Sequence, residues 1–240
     1  MATQPRDQSR SSEFDLEVPV AVGHDLLVEV HAVAVNPVDQ KTRANRPPLF
    51  DAPAILGFDA VGVVSAAGDA CERFQPGDPV WYAGSYVRQG TNAQFHLVDE
   101  RIVGAAPAST PTAEAAAMPL TTLTAWEGLF DRMRVTEPVP GGSPAVLVIG
   151  GAGGVGSVAI QLLRSQTDLT VIATASRPET VAWCTGLGAH HVINHHESLI
   201  DQVAALGIGS PSFVFSTTHT QSYLEQIAEL MAPQLSLIHI

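Results

Sequence analysis

The chain has 240 residues, 45% of them apolar and 15% charged, enough to bury one large core or two modest ones. Its net charge of -12, from 12 basic against 24 acidic residues, argues against nucleic acid as a main partner, because phosphate binding needs clustered Lys and Arg. No apolar run reaches the ~18 residues of a membrane span, the polar opening MATQPRDQSRSSEFD lacks the apolar core of a secretion signal, and Cys71 and Cys184 alone make neither a disulfide framework nor a cysteine zinc cluster, so a reducing cytoplasm is the expected compartment.

The first half reads as β-rich. HDLLVEVHAVAV (24–35), AVGVVSAAG (60–68), PVWYAG (79–84) and AQFHLV (93–98) are short runs of β-branched and aromatic residues, separated by turn-forming Gly, Pro and Asp. Pro47 and Pro48 keep the segment before ILGFDA out of helix. The character changes after about residue 111. TPTAEAAAMPLTTLTAWEGLFDRM (110–133) has a helical pattern that Pro119 kinks or splits. Alternation follows: AVLVIG, LTVIATA, HHVIN and FVFSTT read as strands, interleaved with helices over VGSVAIQLLRS, PETVAWCTGLG, SLIDQVAALG and QSYLEQIAELM. The last helix places Leu224, Ile227, Ala228 and Met231 on one face. Such repetition implies parallel strands joined by crossover helices. The expected fold class is therefore α/β: a β domain followed by a doubly wound parallel sheet.

Between the strand AVLVIG and its following helix, five glycines fall within residues 150–156. Gly151, Gly153 and Gly156 fit G-x-G-x-x-G in the strand-to-helix setting that gives the motif meaning. Gly151 is expected to permit the tight turn, Gly153 to let the backbone approach a pyrophosphate, and Gly156 to let the helix pack on the strand, with the amides of Gly154 and Val155 among the phosphate donors. An NAD site usually carries Asp or Glu about 20 residues further on. Here that position is Ala175, followed by Ser176 and Arg177. Without a carboxylate to repel a 2′-phosphate, and with a hydroxyl and a guanidinium to bind one, the expected cofactor is NADPH. Two plainer readings stand beside this one: Ser176 with Glu179 spells a capping box for the next helix, and Arg177 is a solvated surface charge. His190, His191, His195 and His196 read as exposed loop histidines capable of adventitious metal binding.

These motifs resemble the medium-chain dehydrogenase/reductase superfamily, specifically the quinone-oxidoreductase-like members of its zinc-type alcohol dehydrogenase group. The resemblance rests on AVAVNPVDQKTR (32–43), ILGFDAVGVV (55–64), GDPVWYAG (77–84), GTNAQFHLVDERIVG (90–104), AAAMPLTTLTAWEGLF (115–130) and the glycine stretch. It implies a GroES-like β-barrel domain over residues 1–120 and a Rossmann domain over 121–234, with the nicotinamide in the cleft between them. Zinc-dependent relatives carry Cys, His, and Cys or His at the positions matching Asn36, Phe58 and Leu120, and a four-cysteine structural lobe that is missing here, so no metal is expected. By the same resemblance NPVDQKTR lies at the cleft. Asn36 and Lys41 are then candidate donors to a carbonyl oxygen, Asp39 orients Lys41 or the ribose, Tyr82 lines the cleft, and Thr124 stands close to the nicotinamide. The alternative for this segment is an Asp39–Arg43 structural ion pair beside a solvated Lys41. Ser157 lacks the G-x-S-x-G setting of a hydrolase nucleophile.

The implied activity is zinc-independent, NADPH-dependent hydride transfer to a small-molecule quinone or enone. The alternatives are a 2-alkenal or enoyl double-bond reductase, or a non-catalytic NADPH-binding protein. The resemblance also implies a homodimer for the intact protein, with no nucleic acid or membrane partner. The final hexapeptide LSLIHI (235–240) reads as the translation of a transposon-end sequencing adapter. On that reading the Rossmann domain is incomplete, the strand FVFSTT has an unpaired apolar flank prone to aggregation, and the 240-residue chain is inactive while the whole protein is an enzyme.

Overall fold

The computed structural model describes residues 13, 15–45, 54–230 and 236–239, and the chain divides into two compact units, Met1–Leu120 and Thr121–Ile240. The segment holding Pro47 and Pro48, and Met231 of the last expected helix face, lie outside the described residues.

The first unit is a GroES-like antiparallel sheet with strand order β4-β1-β2-β3-β5, built from β1 (Asp25–Ala34), β2 (Asp59–Ala67), β3 (Pro79–Ala83), β4 (Phe95–Asp99) and β5 (Gly104–Ala105). Alternate residues turn inward along each strand, which is why Leu26 and Val28, Ala60 and Val64, and Val80 and Tyr82 meet Val98 and Val103 in one apolar cluster. Helix α1 (Pro37–Asn45) follows β1 directly. The proline suits the first helical position, where a missing N–H costs nothing. The side chain of Asp39 accepts from the backbone N–H of Asn36 at 2.7 Å, satisfying an amide at the helix start. The short helix α2 (Thr112–Ala116) ends the unit's sequence, and α3 (Pro119–Trp126) runs from its last two residues into the second unit, continuing as a π turn over Glu127–Arg132. Pro119 splits the helical stretch, and begins α3.

The second unit is a parallel sheet. Its strands are β6 (Ser143–Ile149), β7 (Thr170–Thr174), β8 (His191–Ile193), β9 (Pro211–Ser216) and β10 (Ser236–His239), in the order β10-β9-β6-β7-β8. Helices α4 (Gly154–Gln166), α5 (Pro178–Gly186), α6 (Leu199–Ala205) and α7 (Thr220–Leu230) alternate with them. This is the strand order of a Rossmann fold, whose chain direction across the sheet switches between the first strand and the fourth, here β6 and β9. The core holds Leu147, Ile149, Ile172, Val214, Leu199 and Ile227.

Two expectations are corrected here. The buried face of α7 is Tyr223, Ile227 and Leu230, spaced i, i+4, i+7, while Leu224 is 52% exposed and Ala228 is also exposed. The larger Tyr223 covers the core, and choosing its face rotates Leu224 outward. Strand β9 has no unpaired flank: β10 pairs with it in parallel, from Ser236 opposite Phe213 to His239 opposite Ser216. The run SLIH meets the only demand of a sheet edge, an extended backbone with donors and acceptors at strand spacing.

Candidate functional site

The carboxyl ends of β6, β7, β8 and β9 surround an open cleft of about 380 Å³, at the switch point of the sheet. Its floor is the glycine turn. Gly150, at the end of β6, has φ +84, and a Cβ there would lie 2.5 Å from Thr217 Oγ1. The left-handed turn residue is thus Gly150 rather than Gly151, because the turn starts one residue earlier than the motif register suggests. The turn is tied to β7 by the Gly150 N–H, which donates to Thr174 Oγ1 at 2.9 Å, and the Gly151 N–H, which donates to the Thr174 carbonyl at 3.2 Å. Gly153 precedes α4, whose first helical bond runs from Ser157 N to the Gly153 carbonyl at 2.8 Å. The amides of Gly154, Val155 and Gly156 lie ahead of that bond and have no carbonyl of their own helix to bond to. A Cβ on Gly156 would stand 2.2 Å from the Gly150 carbonyl oxygen, so α4 sits directly on the turn. A Cβ on Gly154 would meet Thr121 Cγ2 at 3.0 Å, and Thr124 is one turn further along α3. Ser157 Oγ accepts from Trp183 Nε1 at 2.8 Å.

Ala175, Ser176 and Arg177 line the cleft wall after β7. The capping box expected of Ser176 and Glu179 is shifted by one residue. Arg177 is the cap of α5, its N–H donates to Thr180 Oγ1 at 3.2 Å, and the Thr180 N–H donates back to the Arg177 carbonyl at 3.0 Å. Pro178 at the first helical position sets this frame. The Arg177 guanidinium pairs with Glu179 at 3.2 Å, with both side chains largely exposed. The histidines separate. His190 accepts from the Val171 N–H through Nδ1 at 2.9 Å and faces Arg164, whereas His195 lines the cleft together with His219. The expectation of an exposed loop histidine does not hold for His195, since nothing local reveals which strand end its loop caps.

In the first unit, two of the side chains expected to act on an acceptor, Asn36 and Asp39, stand beside Asp59, a residue outside the expected set. Asp59, fully buried on β2, accepts from Asn36 Nδ2 through Oδ2 at 2.7 Å and from the Leu120 N–H through Oδ1 at 2.7 Å. Burial raises its pKa, the two hydrogen bonds lower it, and nearby Asp39 raises it again, leaving it pushed up to about 6. The signal was present in GFDAVGVV: an acid inside an apolar strand needs partners. Asp39 is 8% exposed, and its Oδ1 has no hydrogen-bond partner among the described residues. Lys41 is exposed on α1. Tyr82 does not face a cleft. It is 2% exposed in the sheet core, and its hydroxyl lies 3.0 Å from His96 Nδ1. His96 Nε2 donates to the Gln89 carbonyl at 3.0 Å, so the phenol donates to Nδ1. Burial holds this phenol far above its ordinary pKa and the imidazole below its own.

Residues 22–127 match the family described as alcohol dehydrogenase GroES-like domain, and residues 154–240 match zinc-binding dehydrogenase. A GroES-like unit followed by a Rossmann unit defines a dehydrogenase of the medium-chain type. The chain belongs to the medium-chain dehydrogenase/reductase superfamily, and the proteins it is similar to include zinc-type alcohol dehydrogenase-like proteins and quinone oxidoreductases. The zinc-type alcohol dehydrogenase-like protein of Staphylococcus epidermidis is 41% identical over 223 residues, covering 92% of this chain and 66% of its own length. A Rhizobium etli structure, provisionally described as a zinc-dependent alcohol dehydrogenase, is 60% identical with a TM-score of 0.90, over 92% of this chain and 65% of that one. The Escherichia coli quinone oxidoreductase solved with NADPH is 25% identical with a TM-score of 0.77, over 95% of this chain and 67% of that one. The chain thus spans about two thirds of the length of the curated relatives it matches.

The zinc in these names does not fit the residues present. The three positions that the resemblance assigns to catalytic ligands hold an amide already donating to Asp59, the ring of Phe58 and the side chain of Leu120, and a catalytic zinc takes three ligands from Cys, His, Asp and Glu. Among the described residues no three His, Cys, Asp or Glu side chains are grouped to hold a metal. Nor is any helix among them long and apolar enough to cross a membrane.

Proposed function

We propose that the chain carries the NADPH-binding and acceptor-polarising groups of a zinc-independent oxidoreductase that reduces a quinone or a conjugated carbonyl. The observation that carries this reading is the cleft wall after β7, where Ala175, Ser176 and Arg177 stand in place of the carboxylate that selects an unphosphorylated ribose. A hydroxyl and a guanidinium there suit a 2′-phosphate. The Arg177–Glu179 pair is exposed at both ends, contributes little, and yields readily to a phosphate. That the Escherichia coli quinone oxidoreductase was solved with NADPH supports the choice.

Bound NADPH supplies a hydride. The chain's own task at the glycine turn is to hold the pyrophosphate on the amides of Gly154, Val155 and Gly156, with Gly151 and Gly153 keeping the turn open and Thr124 beside the cofactor. Its second task is to stabilise negative charge on the acceptor oxygen. Asn36 suits this: one Nδ2 hydrogen is engaged by Asp59, and the other remains to donate. Lys41 on α1 adds a positive charge to the same segment, and Asp39 Oδ1, without a hydrogen-bond partner among the described residues, is an acceptor for a hydroxyl. Quinones and enones spread the developing charge by conjugation, so such donors suffice where a simple alcohol would need a stronger Lewis acid.

Fluorescence titration of the chain with NADPH and NADH tests the cofactor choice. Arg177→Asp is expected to lower the NADPH-to-NADH affinity ratio by about 10–100-fold, the loss of charged hydrogen bonds worth about 1.5–3 kcal/mol. An unchanged ratio would rule out the 2′-phosphate assignment.

A further inference from the structure

Two histidines in the dinucleotide cleft have no part in the function above. His195 follows β8 and His219 follows β9, and both line the cavity that Ser176 and Arg177 line after β7. The ends of β7, β8 and β9 therefore each bring one group able to carry positive charge to the same opening, with β6 between β9 and β7 in the sheet. His219 is held there at φ +49, a left-handed conformation rare for a residue other than glycine and one that persists where the surroundings enforce it. Its carbonyl accepts from the Ser222 N–H at 2.9 Å, and its Nδ1 lies 2.6 Å from Thr218 Oγ1, which leaves Nε2 to face a ligand. His195 is half-buried, with its ring centroid 4.4 Å from that of His196. Burial, then His196 and His219, hold its imidazole below the ordinary value, so it has a proton to gain when an anion arrives.

The other charged and titratable groups at this opening do not cancel that capacity. Glu179 on α5 is paired with Arg177, Glu197 accepts from Asn194 Nδ2 at 2.8 Å, and Tyr223 on α7 is a phenol. We propose that His195 and His219 complete, with Arg177, a titratable anion site that binds the ribose phosphate with uptake of a proton from solvent, so that preference for the phosphorylated ligand rises as pH falls. The proposal rests on the cleft being the dinucleotide site. Its physical basis is linkage: a bound phosphate favours the imidazolium, and the imidazolium equally favours the phosphate.

Calorimetric titration of the chain with adenosine 2′,5′-bisphosphate and with AMP, at about pH 8 and about pH 6, reads this directly. The bisphosphate-to-AMP affinity ratio is expected to grow about tenfold at the lower pH, and the heat to vary with buffer ionisation enthalpy as proton uptake requires. In His195→Asn/His219→Asn that growth should vanish; asparagine tolerates the left-handed backbone at 219. The phosphate's own second ionisation, near about pH 6, acts the opposite way but equally on both proteins. Equal pH dependence in parent and variant, or none in the parent, overturns the proposal, and a bisphosphate preference at both pH values would leave the NADPH reading standing. If neither compound binds, both readings fail.

Discussion

Gly156→Val is expected to destabilise the second unit by about 3 kcal/mol, the scale of a severe overpacking change, and to abolish nucleotide binding with it. The reason is the 2.2 Å separation between an added Cβ and the Gly150 carbonyl oxygen, with Gly151 Cα only 2.8 Å away. These are backbone atoms, so no side chain can swing aside, and α4 would have to lift from the turn that aims its first amides. For a chain of this size the melting temperature should fall by about 6–12 °C. Gly186→Ala is the matched control: it lies at the end of α5 with nothing within 4 Å of an added Cβ, and should melt like the parent or slightly higher. A Gly156→Val chain that melts with the parent and still binds NADPH would mean that α4 does not depend on this contact.

The second large effect concerns Asp59. Its pKa is raised in the folded state to about 6, so between about pH 4 and pH 6 the folded chain binds a proton that the unfolded chain has released. That stabilisation is present in acid and is lost as pH rises through the folded value, a loss of about 2–3 kcal/mol. Asp59→Asn carries no titrating group there. Relative to the parent it should therefore gain about 2–3 kcal/mol between about pH 4 and about pH 7.5, measured as denaturation midpoints at the two pH values. It should also release Asn36, because an amide cannot accept at both atoms from Asn36 Nδ2 and the Leu120 N–H unless Asn36 turns over. In the parent, the Asn36 side-chain amide resonances should shift with a midpoint near pH 6. Parallel stability profiles for the two proteins would show that Asp59 is not the buried titrating group.

Much of this molecule is legible from local pattern. The strand–helix alternation after residue 143, the glycine turn and the missing carboxylate at Ala175 follow from hydrophobic period and from where only glycine fits, and the structure has each in place. The segment NPVDQKTR was harder to read as α1, because its helical period is short and polar. The face of α7 went to Tyr223 over Leu224 because the core, and not the helix, chooses which neighbouring apolar residue to bury.

What the sequence alone determined, then, is the order of elements and the glycine turn between β6 and α4, since both are set by contacts within a few residues. The tertiary structure alone decided the rest. It joined Asn36 to Asp59 across 23 positions, sank Tyr82 into the core against His96, gave β9 a partner in β10, and brought His195 and His219 to the opening beside Arg177. Each of these depends on which strand ends meet and in what register, and register is a property of the assembled sheet that no short stretch of chain carries.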